Sequence, residues 1–195
     1  MNIVNVGYDS TNYYVLGASA NRLLIDVGWP NTLPKLLATL KRKGIPLQAI
    51  GYLLATHYHP DHAGLAQELK AKGMRLIVPE QQVAAIPILK TYMKPINRYV
   101  EITLHDNLVM PVSESRAFLK RIGIAGEIIA TPGHSNDSMS LVLDEGAAFT
   151  GDLPPPGLGD VSADDSVRRS WKALQALRVT TIYPGHGPAR PIPSL

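Results

Sequence analysis

Four side chains able to hold a metal ion fall within six residues of this chain, His57-Tyr58-His59-Pro60-Asp61-His62, directly behind the apolar run from Ile50 to Ala55. That run reads as a buried strand, so the fold must let a strand end at a place where several imidazoles and a carboxylate meet other polar groups. In extended backbone, residues two apart face the same way, so His57 and His59 can grip one ion. Pro60 is suited to the first turn of a helix, which would turn Asp61 and His62 in a second direction. One ion cannot easily take all four ligands from so short a segment, whereas two ions about 3.5–4 Å apart can.

The same arrangement recurs along the chain. EIIATPG leads to His134, AAFTG to Asp152 and TIYPG to His186, each a polar residue just past an apolar run. Ligand sites in α/β proteins gather at the carboxyl ends of strands, where loops can aim side chains at one point. Of the six histidines, three lie in the hexapeptide and two follow a Pro-Gly pair, at His134 and His186. A merely His-rich tract has no such matched distant partners. His105 fits none of these contexts and reads as a surface residue. With no cysteine in the chain, disulfides and thiolate ligation are excluded. The nitrogen and oxygen donor set suits zinc, and would also accept iron or manganese.

Around these points, short β-branched runs alternate with amphipathic segments, the pattern of sheets covered by helices. Strands are expected at Ile3 to Val6, Tyr13 to Leu16, Leu23 to Val27, Leu76 to Val78, Glu127 to Ala130, Met139 to Leu143, Ala147 to Phe149 and Thr180 to Tyr183. Helices are expected at Leu33 to Lys43, around Leu65 and Leu69, at Arg116 to Arg121 and at Ser166 to Leu177. Val83 to Met93 reads as a helix kinked or ended by Pro87. Leu153 to Gly159, LPPPGLG, reads as a surface loop. The length of 195 residues suits a single domain over 1–195. The net charge of +3 comes from scattered Lys and Arg, so neither nucleic acid nor a membrane is expected as a partner. The N-terminus lacks the basic start and apolar run of a secretory signal, and a cytoplasmic setting is expected. Oligomeric state is left open.

Taken in order, THYHPDHAG, TPGHS, FTGDLP and YPGHG resemble the successive motifs of the metallo-β-lactamase-fold superfamily, over nearly the whole chain. The resemblance implies an α/β fold, a four-layer αβ/βα sandwich of two mixed β-sheets with outer helices and metals at one edge. It implies a first ion on His57, His59 and His134, a second on Asp61, His62 and His186, and Asp152 bridging the two. Two divalent ions so held would lower the pKa of a bridging water toward about 7 and give a hydroxide nucleophile. Asp61 is the candidate catalytic residue, orienting that nucleophile and taking its proton. Glycines 133, 151 and 185 read as backbone freedom that aims each loop. Ser135, Asn136 and Asp137 read either as support for the imidazoles or as ordinary turn residues.

The THxHxDH form, the bridging Asp and the compact length look most like glyoxalase II-type thioesterases or lactonases acting on a small-molecule substrate. A true β-lactamase is disfavoured by the missing cysteine and export signal and by the bridging Asp152. Larger glyoxalase II enzymes add a C-terminal helical segment that binds the glutathione moiety, whereas nine residues follow His186 in this sequence, so the substrate grip is expected elsewhere. Glu80 to Met110 is the alternative place for a substrate grip, through apolar residues (Ile86, Ile88, Leu89, Tyr92, Met93) and cations (Lys90, Lys94, Arg98); the same stretch also reads as an amphipathic helix with a solvated basic face. Phosphodiesterase chemistry is one alternative. Another is a mononuclear-iron persulfide dioxygenase using His57, His134 and Asp152.

Overall fold

The protein is described here by a computed structural model, in which residues 1–17, 21–156 and 165–194 are described. Two mixed sheets make up its β-structure. The first runs β1 (Ile3–Asn5), β2 (Tyr14–Leu16), β3 (Arg22–Ile25), β4 (Ile50–Leu54), β5 (Arg75–Pro79) and β6 (Leu108–Met110), in that spatial order. The second contains β7 (Gly126–Ala130), β8 (Met139–Leu143), β9 (Ala147–Gly151), β10 (Thr181–Pro184) and β11 (Arg190–Pro191), ordered β11-β10-β9-β8-β7. The helices are α1 (Leu33–Arg42), α2 (Pro60–Ala63), α3 (Ala66–Lys70), α4 (Ser115–Arg121) and α5 (Asp165–Ala176). The αβ/βα sandwich implied by the resemblance is therefore present.

Strand alternation explains the layers. In the first sheet Val15, Leu24, Leu53, Leu76 and Val78 face α1 and α3, packing on Leu36, Leu40, Ala66 and Leu69. Their neighbours Tyr14, Leu16, Leu23, Ile25, Leu54 and Ile77 face the other way, against Ile128, Met139, Leu141, Leu143 and Phe149 of the second sheet. Val142, Ala148 and Ile182 point outward from that sheet onto Val167, Trp171 and Leu174 of α5. Because successive strand residues point to opposite faces, a strand covered on both sides must be apolar throughout. That is why these segments read as continuous apolar runs rather than as alternating ones.

Most expected elements form within one or two residues of their sequence limits. Val83 to Met93 differs: two 3₁₀ segments, Glu80–Ala85 and Pro87–Tyr92, stand in place of one kinked α-helix. Pro87 cannot donate to the preceding turn and clashes with continued α-helix, and the chain divides at Ile86, whose side chain anchors the join in the core. Strands β6 and β11 are too short, at three and two residues, to show a pattern. The LPPPGLG loop lies within the described residues only through Pro156. Among the described residues no helix is long and apolar enough to cross a membrane.

Trp171 ties α5 to this loop. Its ring is fully buried and its Nε1 donates to the Pro154 carbonyl at 2.7 Å. Trp171→Phe should cost about 2 kcal/mol, from lost volume and an unpaired carbonyl. Urea denaturation checks it, and a midpoint equal to that of the unaltered protein would contradict this account.

Candidate metal centre

Strand directions bring the ligand candidates to one edge. β10 is parallel to β9, while β7 and β9 are each antiparallel to the intervening β8, so β7, β9 and β10 all run the same way. His134 follows the end of β7, Asp152 the end of β9 and His186 the end of β10, and the three emerge together. From the first sheet, β4 delivers the hexapeptide. His59 has extended backbone (φ −98°, ψ 159°), and Pro60 opens α2 at its first position, so the chain turns between His59 and Asp61 as its sequence suggests.

All seven residues named from the sequence meet at this edge. His57 Nε2 and His134 Nε2 each lie 3.0 Å from His59 Nδ1, forming a three-imidazole cluster. Beside it, His62 Nε2 and His186 Nε2 lie 3.4 and 3.3 Å from Asp61 Oδ2. Asp152 spans the two clusters: Oδ1 is 3.2 Å from His62 Nε2, and Oδ2 is 3.4 Å from His186 Nε2 and 3.6 Å from His134 Nε2. Both triads have donor atoms within 4.8 Å of one another. His57 and His62 are fully buried, while His134 and His186 reach solvent, so the cluster has a dry floor and an open mouth.

The donor set fits a cation. His62 Nε2 and Asp152 Oδ1 are buried yet lack a hydrogen-bond partner among the described residues, although such groups are normally satisfied. Burial, followed by the charge of His62, His59 and His134, pushes His57 well below the usual histidine range, leaving a neutral imidazole with a free lone pair. Burial also raises the carboxyls, but His62 and the Thr11 hydroxyl outweigh it and hold Asp61 well below the usual carboxylate range. Asp152 is lowered in the same way by His62, His186 and His134. Burial opposes charge on His62, but Asp26, Asp152 and Asp61 overcome it and raise that imidazole well above its ordinary value.

The supporting residues were only partly visible in the sequence. Asp26, buried and just past β3, accepts the Thr56 N–H at 2.7 Å and the Thr56 hydroxyl at 3.0 Å. It also accepts His62 Nδ1–H at 2.9 Å. With its own proton given to Asp26, Thr56 Oγ1 can accept His57 Nδ1–H at 3.2 Å. One carboxylate thus orients an imidazole of each triad, the usual device for fixing ligand tautomers. Asp26 follows the apolar run LLI, so the strand-end pattern that picked out His57 and Asp152 also marks it. His186 is fixed by Nδ1–H donation to the Ser10 carbonyl at 2.7 Å, and Asp61 by the Thr11 hydroxyl at 3.0 Å.

Asp137 does not reach an imidazole; its carboxylate accepts the Tyr58 N–H at 2.8 Å and so holds the hexapeptide loop. Ser135 pairs with Ser138 in a turn. Buried Gln82 donates to the carbonyls of Ala55, Thr56 and Asp137, joining the loops that carry His57 and His134. Of the residues considered for a substrate grip, Tyr92 stands edge-on to His59 with ring centroids 5.1 Å apart and is 51% exposed. Ile86 and Leu89 are core residues, and Lys90 pairs with Glu101.

Gly151 and Gly185 have different reasons to be glycine. Gly151 has φ +52°, left-handed backbone that favours glycine. Gly185 has no positive φ; a Cβ there would overlap Asp152 Oδ1 and His62 Cε1. Gly185→Ala should therefore weaken binding of a divalent metal ion about tenfold or more while the fold persists. A chelator-competition titration reads this directly, and unchanged affinity would remove the crowding argument.

The family described as the metallo-beta-lactamase superfamily matches residues 6–186. A beta-lactamase-like protein 2 homolog of Caenorhabditis elegans is 29% identical over 181 residues, covering 91% of this chain and 56% of that protein. An atrochrysone carboxyl ACP thioesterase of Aspergillus fumigatus is 33% identical over 185 residues, covering 91% of this chain and 50% of its own. The chain thus spans about half the length of these curated relatives. A probable metallo-hydrolase of Methanocaldococcus jannaschii is 28% identical over 200 residues, 93% of this chain and 89% of that one. Among solved structures, a metallo-beta-lactamase family protein of Thermus thermophilus superposes with a TM-score of 0.72 at 21% identity, over 98% of this chain and 74% of its own. The chain belongs to the metallo-beta-lactamase superfamily.

Proposed function

We propose that this protein is a dinuclear metal-dependent hydrolase, with zinc the best-suited ion, acting on a thioester, lactone or related ester of a small molecule. The observation that carries the reading is the pair of donor triads with Asp152 between them, its carboxylate within 3.6 Å of His134 of the first and of His62 and His186 of the second. When bound, two such ions supply Lewis acidity and a water that ionises near neutral pH. The residues then do the rest. His57, His59 and His134 hold one position and Asp61, His62 and His186 the other. Asp61 is oriented by Thr11 and stands ready to accept a proton. Asp26 keeps His57 and His62 in the tautomers that present Nε2. In hydrolysis of a thioester, the water oxygen joins the acyl carbon, the carbon–sulfur bond breaks and the sulfur leaves with a proton.

Ester chemistry is favoured by the thioesterase among the relatives. A one-iron dioxygenase would use only His57, His134 and Asp152, and the complete second triad of Asp61, His62 and His186 favours two ions instead. The test is metal analysis of protein purified from its own host, with assays on thioester, lactone, phosphodiester and persulfide substrates. Near two zinc per chain with thioester or lactone turnover is the expected result. One iron per chain with oxygen uptake on persulfide would overturn the reading.

A further inference from the structure

A cavity of about 340 Å³ opens beside the metal centre, with His134, Asp152 and His186 on one side and Leu153, Pro154 and Pro155 on another. Arg190 completes its wall and is its one Lys or Arg among the described residues. The position is built into the fold: Arg190 pairs across β11 with Ile182 of β10, and cross-strand partners share a sheet face. Ile182 lies in the core beneath α5, so Arg190 stands on that same face. Pro191 restricts the preceding residue to extended backbone, which fixes the approach of Arg190 to the cavity.

Arg190 as a residue is half-buried, yet no ion pair or hydrogen bond engages its guanidinium among the described residues. Asp152 lines the same cavity, but its charge partners are His62, His134 and His186. A partly shielded guanidinium without a partner is suited to receive a carboxylate or phosphate in bidentate fashion. The rest of the wall is apolar and would receive a short aliphatic spacer.

We infer that Arg190 binds an anionic group of the substrate, so that the thioester or ester hydrolysed here carries a carboxylate or phosphate a short chain away from the reacting centre. This rests on the hydrolytic reading above and deepens it by naming the substrate class. Arg190 is a specificity-determining residue in this account and touches no proton in the reaction.

The test compares binding of 3-mercaptopropionate and its methyl ester to the zinc-loaded protein by calorimetry. The two share a metal-seeking thiol and differ in one negative charge and one ester methyl group. The unaltered protein should bind the free acid about tenfold or more tightly than the ester. Arg190→Ala should abolish that preference while leaving affinity for the methyl ester unchanged, and Arg190→Lys should restore part of it. Lys120→Ala, which removes the same charge from α4, should leave the preference intact. Equal affinities in the unaltered protein, a preference that survives Arg190→Ala, or one lost equally in Lys120→Ala would each overturn the assignment. Because the readout is binding, it separates the two ideas: a charge preference lost with Arg190 in a protein that hydrolyses no ester would leave the anion site standing while the hydrolytic reading fell.

Discussion

Asp152→Ala is expected to lower turnover of the zinc-loaded protein at least about 10³-fold and to reduce bound zinc below two per chain. Asp152 lies between the two triads, with Oδ1 3.2 Å from His62 and Oδ2 3.4 Å from His186 and 3.6 Å from His134. Removing it takes a negative charge from between the two donor triads and leaves nothing to join them. Groups that act as a unit lose nearly the whole effect when one is deleted, which sets the expected scale. Asp152→Asn keeps the shape but not the charge, and should retain more zinc than Asp152→Ala while remaining severely impaired. Metal content by elemental analysis and turnover of a thioester are the two measurements. Two tightly held zinc ions with undiminished turnover in Asp152→Ala would falsify the bridging role.

The second large effect is expected at Asp26, where stability and metal binding fall together. Its carboxylate takes one backbone N–H, one hydroxyl and one imidazole N–H, all buried. Asp26→Ala leaves the buried His62 imidazole and the Thr56 amide without their acceptor. Breaking a buried charged pair from one side typically costs about 3–5 kcal/mol. Ligand orientation by such a residue is worth about 10–100-fold in metal affinity. Asp26→Asn discriminates further, since whichever carboxylate oxygen becomes NH₂ would confront an N–H donor, that of Thr56 or that of His62, in place of accepting it. It should therefore behave much more like Asp26→Ala than its size suggests. Chemical denaturation of the metal-free protein reads the first effect and zinc competition the second. A metal-free stability within about 0.5 kcal/mol of the unaltered protein would show that Asp26 does not hold this network.

The sequence alone marked the seven residues that the structure brings to one edge, because His57, His134, Asp152 and His186 each follow an apolar run and His59, Asp61 and His62 crowd behind the first of them. It also fixed the local turn at Pro60, where proline restricts its own backbone to a helical entry. Asp26 obeys the same rule, but a single carboxylate after a strand has no repeated context to set it apart, unlike the two Pro-Gly-His segments. At Gly185 the sequence suggests backbone freedom, whereas the structure requires glycine for space, because a methyl group there would meet Asp152 and His62.

What the tertiary structure decided was everything that depends on pairing between distant segments. The common direction of β7, β9 and β10, the spanning position of Asp152, the Thr56–Asp26–His62 network and the placement of Arg190 opposite Ile182 all arise from strand order. Periodicity in a sequence reports which face of an element is buried. It carries no record of which other element covers that face, and a site assembled from four strand ends is defined by that missing information.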